Sequence, residues 1–333
     1  MSINRRSVLE LISAFAALGG IQGLAPSAFA QQYPDRPVRI IVPFPPGGSL
    51  DGAPRIVSQF VNAKHGWTII IDNRAGAAGQ TGTVAGKNSA ADGYTLIAIN
   101  GVTHGSASAI KRDPGYDPVK DFAPIVLLGD APLVMLVRSD IPARTVPEFI
   151  ALLKKNPGKF NYGSGGFGTQ HHLAVAMLLD QGGLPANIAT HVPAKGLALA
   201  ITDLLAGNVQ FMISSVGPAW QHVAAGKLRA LAVTSAKRLK RLPDLPTMVE
   251  LGFRDFEILA WSGLAAPAGT PDATLARWNE IANEALAEAD VRKQLAGYDL
   301  DARGGTRAEF AEFISRERAR YLALGNNTGL LAK

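Results

Sequence analysis

Histidines, serines and acids are the side chains of this sequence that could do chemistry, as metal ligands, nucleophiles or proton carriers. The six histidines are His65, His104, His171, His172, His191 and His222. None of them form an H-x-x-x-H pair, and adjacent residues such as His171 and His172 diverge by about 100° on a helix. We therefore expect no metal site.

The serines do not match the known pattern of a hydrolase nucleophile, G-x-S-x-G. Ser164 has Tyr162 where the first glycine should stand, and no base lies near Ser214 and Ser215 in the sequence. Asp51 is the one acid within a glycine-rich segment, and we expect it to stabilise the helix that begins there. The sequence therefore predicts no enzyme and no cofactor. An exported enzyme acting on a small carboxylate remains the alternative.

Two glycine-rich segments offer backbone chemistry instead. Residues 43–51 read P-F-P-P-G-G-S-L-D and residues 162–172 read Y-G-S-G-G-F-G-T-Q-H-H, each between a β-rich run and a helical pattern. Glycine lets the backbone approach a ligand, and a helix start presents unpaired N–H groups at the positive end of its dipole. Two such loops facing each other across a cleft would hold a small anion. For the first segment alone, an ordinary turn with Ser49 as helix cap is the alternative.

The second segment formally contains G-x-G-x-x-G at Gly163, Gly165 and Gly168. A dinucleotide site also needs an acid about 20 residues later, at the end of the next strand. That strand ends at His191-Val192-Pro193, where no acid stands. The pattern therefore excludes a dinucleotide and leaves the anion loop.

Short β-rich runs alternate with amphipathic helical patterns along the chain, which predicts the α/β class with mainly parallel sheets flanked by helices. The apolar stretch 125–137 looks like a strand that leaves one sheet and enters another, and the pattern then restarts. We expect two lobes with crossing strands as the hinge. Lobe 1 comprises residues 31–126 plus about 236–333, and lobe 2 comprises about 127–235. Runs 228–233 and 259–264 are the candidates for the return to lobe 1.

Composition narrows the function further. The chain has 333 residues and no cysteine, which excludes disulfides, thiolate zinc sites and a cysteine nucleophile. With 47% hydrophobic and 18% charged residues, it has the composition of a globular protein. The formal net charge is +6, and the single basic cluster, residues 237–241, has no interleaved aromatic residues. We therefore expect no nucleic-acid partner.

Residues 1–30 have the pattern of an export signal. Arg5 and Arg6 precede a short apolar run, and Ala28-Phe29-Ala30 has the A-x-A form of a cleavage site, so we expect cleavage after Ala30. The segment N-R-R-S-V-L at 4–9 resembles a twin-arginine signal. The general secretory route and an uncleaved anchor are the alternatives.

Sequence segments spread over the chain resemble one family, the substrate-binding proteins of tripartite tricarboxylate transporters, also called Bug proteins. The matching segments are 33–48 (Y-P-D-R-P-V-R-I-I-V-P-F-P-P-G-G), 72–79 (D-N-R-A-G-A-A-G), 92–96 (D-G-Y-T-L), 116–124 (Y-D-P-V-K-D-F-A-P), 226–235 (G-K-L-R-A-L-A-V-T-S) and 265–271 (A-A-P-A-G-T-P). The resemblance implies a two-lobed periplasmic receptor of Venus-flytrap type that closes on a small organic carboxylate. It also implies delivery to a membrane permease, and we expect a monomer. A receptor that feeds a signalling sensor is a further alternative.

The resemblance also implies ligand-binding positions, because both glycine-rich segments match the family's ligand loops. In the first lobe these positions are Phe44, Gly48, Ser49, Asp51, Thr103 and His104; in the second they are Ser164, Gly165, Gly168, Thr169, His172, Ala194, Ser214 and Ser215.

Three of these positions depart from the family pattern. Ala194 replaces the tyrosine of V-P-Y-K-G-G, Ser214-Ser215 stands where an Asp-Asn pair is frequent, and Ser49-Leu50 replaces Gly-Thr. Loss of an aromatic wall at Ala194 suggests room for a bulkier or more apolar acid. The departures lie where ligand identity is decided, so the resemblance does not identify the acid.

Overall fold

The structure is a computed structural model that describes residues 33–47, 49–107, 113–240 and 242–328, without the side chain of Ser49. The predicted export signal, residues 1–30, and the predicted ligand residue Gly48 lie outside the described residues. The chain divides after Asp35 into two units, and the second unit contains every element given below.

The first half of the sheet forms from apolar runs that follow one another along the chain. β1 (Val38–Val42), β2 (Ile69–Asn73) and β3 (Thr95–Asn100) are parallel, with β1 in the middle. β9 (Leu259–Pro267) then pairs antiparallel with β3. This strand is the return to the first half that the sequence predicts for run 259–264.

A single long strand joins the two halves, as the apolar stretch 125–137 predicts. β4 (Phe122–Arg138) pairs with β9 and with β10 (Asp301–Gly304) over its first part. Its second part pairs with strands of the other half. The predicted crossing strand is therefore confirmed.

The second half repeats the parallel arrangement. β5 (Phe160–Ser164) lies between β6 (Ala189–Pro193) and β7 (Phe211–Ser215), parallel to both. β8 (Leu228–Val233) pairs antiparallel with the second part of β4, so it stays in this half and does not return to the first. The predicted lobe boundaries remain a prediction.

Helices cover both halves of the sheet, because apolar residues recur on one side of each segment. The described helices are α1 (Ser49–His65), α2 (Gln80–Lys87), α3 (Val146–Lys155), α4 (Gln170–Gln181), α5 (Leu197–Ala206), α6 (Val216–Ala224), α7 (Asp272–Ala287), α8 (Ala289–Ala296) and α9 (Arg307–Thr328). A π-helical segment, Gly101–Ser106, follows β3. Among these helices, none combines the length and apolarity that spanning a bilayer requires.

Each half has its own packed aromatic residues. In the first half, Trp261 of β9 meets Phe310 of α9 edge to face at 5.9 Å between ring centroids. In the second half, Phe149 of α3 meets Phe211 of β7 at 4.8 Å. These rings are buried, so the loops at the strand ends project from rigid sheets.

Candidate functional site

The loops at the carboxyl ends of the two sets of parallel strands meet each other. Ser106, beyond β3, donates from its hydroxyl to the carbonyl oxygen of Gly168, beyond β5, at 2.8 Å. A Cβ atom added to Gly101 would lie 2.3 Å from Gln170 Nε2, so these two residues also touch. The two halves therefore share a junction at the carboxyl ends of their parallel strands, which is the edge where open α/β sheets bind ligands.

Hydrogen bonds to the Asp51 carboxylate hold the loop after β1 in place. The Asp51 carboxylate accepts from Gly47 N (3.0 Å), Arg55 Nε (2.8 Å) and Asn73 Nδ2 (2.8 Å). Burial raises the pKa of Asp51, but the hydrogen bonds from Arg55, Asn73 and Gly47 outweigh burial and hold the pKa below its usual range. Asp51 therefore stabilises the start of α1, as the sequence predicts. A ligand contact of this side chain remains a prediction.

Phe44 connects the loop after β1 to the loop after β3. A Cβ added to Gly79 would lie 2.9 Å from the Phe44 ring and 2.8 Å from the Thr103 methyl group, so only glycine fits between them. Gly79 also has φ +91°, a conformation that glycine adopts without strain. Phe44 and Thr103 are therefore brought together. The backbone of Ser49 forms the first residue of α1.

His104 lies in the core of the first half. Its ring packs against Phe122 at 4.8 Å and Tyr116 at 6.1 Å, Nδ1 lies 3.0 Å from Thr103 Oγ1, and Nε2 is buried without a partner. Burial lowers the pKa of His104 to about 3, so the ring is neutral. The Asn100 side chain caps this segment by accepting from Val102 N and Thr103 N.

Hydrogen bonds of Ser164 hold the second glycine-rich segment in place. Its buried hydroxyl lies 2.9 Å from Gly166 O, 3.1 Å from Gly166 N and 2.7 Å from His191 Nε2. The sequence did not indicate this serine–histidine pair, because 27 residues separate the partners. Burial lowers the pKa of His191 to about 4, which makes it a weak base at neutral pH. Thr169 supports the same loop by donating from its hydroxyl to Gly166 O at 2.8 Å.

Four aromatic rings lie in a row beneath this loop, and three of them are stacked. His172 lies parallel to His191 at 4.0 Å between centroids, and Tyr162 stacks on His191 at 4.8 Å. Phe167 lies beside His172 at 4.9 Å with its plane tilted by 39°. His172 Nδ1 accepts from Gly168 N at 3.1 Å, so the proton of the neutral ring sits on Nε2. Burial, with His191 adding to it, lowers the pKa of His172 to about 3. His172 therefore positions Gly168 by accepting a hydrogen bond from its amide.

Three helices of the second half begin at this edge without a side-chain cap. α4 follows Thr169, α5 follows Gly196 and α6 follows Ser215, and none of these three residues caps its helix through a side-chain hydrogen bond. In the same half, α3 begins away from this edge and is capped by Thr145, which accepts from Glu148 N. The starts of α4 and α5 thus keep backbone donors available, in the manner of anion sites.

The starts of α4 and α5 converge on Gly165. A Cβ added to Gly165 would lie 3.4 Å from both His171 Nδ1 and Leu197 N. Ala194, just before α5, donates its N–H to Ser164 O at 3.0 Å, and its carbonyl lies beside Gly166. The structure therefore gathers Ser164, Gly165 and Ala194 with the two helix starts.

Asp299, a residue of the first half, lies against the start of α6. Ser214 is buried and donates to Ser215 O at 3.1 Å, and the next turn contains Gly217. A Cβ added to Gly217 would lie 1.6 Å from Oδ2 of Asp299, a residue of the first half. Its neighbour Tyr298 lies against Gly52 of α1, because a Cβ there would be 2.5 Å from the Tyr298 ring. Residues 298–299 thus link the first turns of α1 and α6.

Sequence reasoning missed His171, Asp299 and the cross-half contacts of Ser106. None of the three carries a local pattern, because each acquires its role from chain segments far away in the sequence. The sequence contains the adjacent histidines His171 and His172, but only His172 was predicted as a ligand-binding position. Within the described part of the chain, no group of histidines and acids is arranged to hold a metal ion.

Comparison with known proteins agrees with this geometry. The family model described as "Tripartite tricarboxylate transporter family receptor" matches residues 54–330. BugT of Bordetella pertussis is 33% identical over 333 residues, covering 99% of this chain and 100% of BugT. The solved structure "R. palustris Rpa4515 with adipate" is 29% identical with a TM-score of 0.78, covering 89% of this chain and 98% of that one. MatC (Rpa3494) from Rhodopseudomonas palustris with bound malate is 30% identical with a TM-score of 0.76, covering 88% and 100%.

The two half-sheets, the crossing strand and these likenesses define the chain as a solute-binding protein with the two-lobed fold of periplasmic binding proteins. More specifically, the chain belongs to the tripartite tricarboxylate transporter family of receptors. The resemblance found in the sequence is confirmed.

Proposed function

We propose that this protein binds a small organic carboxylate between the two halves of its fold and delivers it to a membrane permease of a tripartite tricarboxylate transporter. The place of action is the periplasm, after export and cleavage behind Ala30. Related receptors with adipate and malate bound support the ligand class.

One observation carries the proposal: α4 and α5 begin without side-chain caps at the edge that faces the other half. Each uncapped start offers backbone N–H groups and a positive dipole end, which suit a carboxylate. Hydrogen bonds to a charged group contribute about 1.5–3 kcal/mol each. Five or six of them, less the cost of immobilising the ligand, are enough for micromolar affinity.

Closure of the two lobes is the mechanism we propose. A ligand shifts the protein to the closed state only if it makes more contacts there than in the open state. The loops after β1 and β3 supply contacts from the first lobe, at Phe44, Gly48, Ser49, Asp51, Thr103 and His104. The second lobe supplies Ser164, Gly165, Gly168, Thr169, His172, Ala194, Ser214 and Ser215.

Calorimetric titration of the purified mature protein with mono-, di- and tricarboxylates tests the proposal. We expect at least one acid to bind with micromolar affinity or better. Failure of every acid on the panel to bind would contradict the proposed function. Recovery of each bound acid chemically unchanged separates a receptor from the enzyme alternative, which requires turnover.

Gly165→Val tests the site itself. The γ-carbons of valine extend beyond the Cβ position that already touches His171 Nδ1 and Leu197 N at 3.4 Å, and so they fill the space between α4 and α5. We expect about a tenfold or greater loss of affinity with a nearly unchanged melting temperature. Ala224→Val, at the exposed end of α6, is the matched control. Equal affinity of both variants and the native protein would place the ligand elsewhere.

A further inference from the structure

His171 is partly buried, and its two ring nitrogens have no hydrogen-bond partner. Both Nδ1 and Nε2 are shielded from solvent, and neither makes a hydrogen bond. The two nearby histidines differ, since His172 Nδ1 accepts from Gly168 N and His191 Nε2 lies 2.7 Å from Ser164 Oγ. A buried polar group without a partner costs about 1–3 kcal/mol, so an unpartnered ring in a native protein needs a reason.

The surroundings of His171 supply that reason. Nδ1 and the amide nitrogen of Leu197 both lie 3.4 Å from the same point, the Cβ position that glycine leaves empty at Gly165. Leu197 is the first residue of α5, which follows Gly196 without a side-chain cap. A ring nitrogen and an uncapped helix start therefore border one small space.

The chemistry of this space is that of an anion site. A neutral imidazole carries one N–H donor, and the helix start adds backbone N–H donors and a positive dipole end.

We propose that His171 and the first amides of α5 form a subsite that binds one carboxylate group of the ligand, with the imidazole donating a hydrogen bond to it. This inference rests on the proposed function and adds a residue and a position to it. The rest of the acid extends from this subsite toward the loops of the other half.

Two variants test the subsite by calorimetry with the tightest-binding acid of the panel. His171→Leu removes the donor, and we expect a loss of affinity of about tenfold to a hundredfold. His171→Gln retains a donor and should recover part of that loss. His222→Leu, near the end of α6, is the matched control and should bind like the native protein.

A second readout does not depend on any variant. Burial lowers the pKa of His171 to about 4 in the free protein. A carboxylate against the ring favours its charged form, so the pKa measured by NMR of the imidazole should rise when the ligand is added. A purely structural histidine would titrate identically with and without ligand.

The outcomes separate the two proposals. If the native protein binds an acid, but His171→Leu binds it equally well and the imidazole pKa does not move, the subsite is wrong and the proposed function stands. If His171→Leu fails to fold, the NMR titration of the native protein decides. If the native protein binds no carboxylate at all, the proposed function fails and the subsite with it.

Discussion

The contact between Gly217 and Asp299 predicts a strong energetic coupling between the two halves of the fold. Asp299 lies on the loop between α8 and β10, with φ +60°, and its carboxylate presses against the first turn of α6. A Cβ on Gly217 would lie 1.6 Å from Oδ2 and 2.1 Å from both Cγ and Oδ1. All three distances are far below a van der Waals contact, so the Asp299 side chain must leave its position in Gly217→Ala.

The magnitude follows from packing and backbone strain. Overpacking a tight contact costs about 1–3 kcal/mol, so Gly217→Ala should destabilise the native chain by that amount. Asp299→Gly removes the obstructing carboxylate and suits the left-handed backbone, where a non-glycine residue costs about 1–2 kcal/mol. In the Asp299→Gly background, Gly217→Ala should therefore cost almost nothing. The predicted coupling energy is about 1–3 kcal/mol.

Urea unfolding of the native protein, the two single variants and the double variant measures this coupling directly. The free energy of unfolding of the double variant should be higher than the value obtained by adding the effects of the two single variants. If the two effects add to within about 0.5 kcal/mol, Gly217 and Asp299 are not in contact, and the reasoning that links residues 298–299 to both helix starts is refuted.

Two further predictions concern stability. Ser106→Ala removes the 2.8 Å hydrogen bond that Ser106 donates across the halves to Gly168 O, and the free energy of urea unfolding should fall by about 1–3 kcal/mol; no change would show that the halves do not depend on this contact. Burial lowers the pKa of His104 and of His172 to about 3, below the value near 6.5 in the unfolded chain, so the unfolded state binds more protons as the pH falls. The stability that each neutral, buried histidine contributes is complete above pH 6.5, and the free energy of unfolding should fall by about 3 kcal/mol for each of them by pH 4. Unfolding curves at several pH values check this. In His104→Gln, the dependence of the free energy of unfolding on pH should weaken by about one proton, and an unaltered slope would mean that His104 titrates normally.

Local patterns predicted much of the fold. The run Val38–Val42 and the long stretch within β4 are rich in apolar and β-branched residues, which favour strands. Thr306 and Glu309 form a capping box at the start of α9, in which Glu309 N donates to Thr306 Oγ1 and Thr306 N donates to Glu309 Oε2. In these cases the deciding interactions lie within a few residues, which is why the sequence suffices.

Other features depend on partners that the sequence does not reveal. Strand β8 has the same apolar character as β9, and only its pairing with the second part of β4 assigns it to the second half. The π-helical segment after β3 depends on the cap that Asn100 supplies and on α9, whose Tyr321 packs on Gly105. In the sequence, His171 is one of two adjacent histidines. Only the tertiary structure shows that the His172 ring has a hydrogen-bond partner and that the nitrogens of His171 have none.

A crystal structure with the tightest-binding acid tests the central claim most directly. The account predicts carboxylate oxygens about 3 Å from backbone nitrogens at the starts of α4 and α5, with the acid enclosed between the two halves. The chain offers a contrasting location, a cavity of about 740 Å³ whose lining includes Lys237, Arg238 and Arg303 together with the acids Asp130, Glu257, Asp299 and Asp301. An acid held there by charged side chains, with the helix starts unoccupied, would contradict the claim that backbone amides bind the ligand.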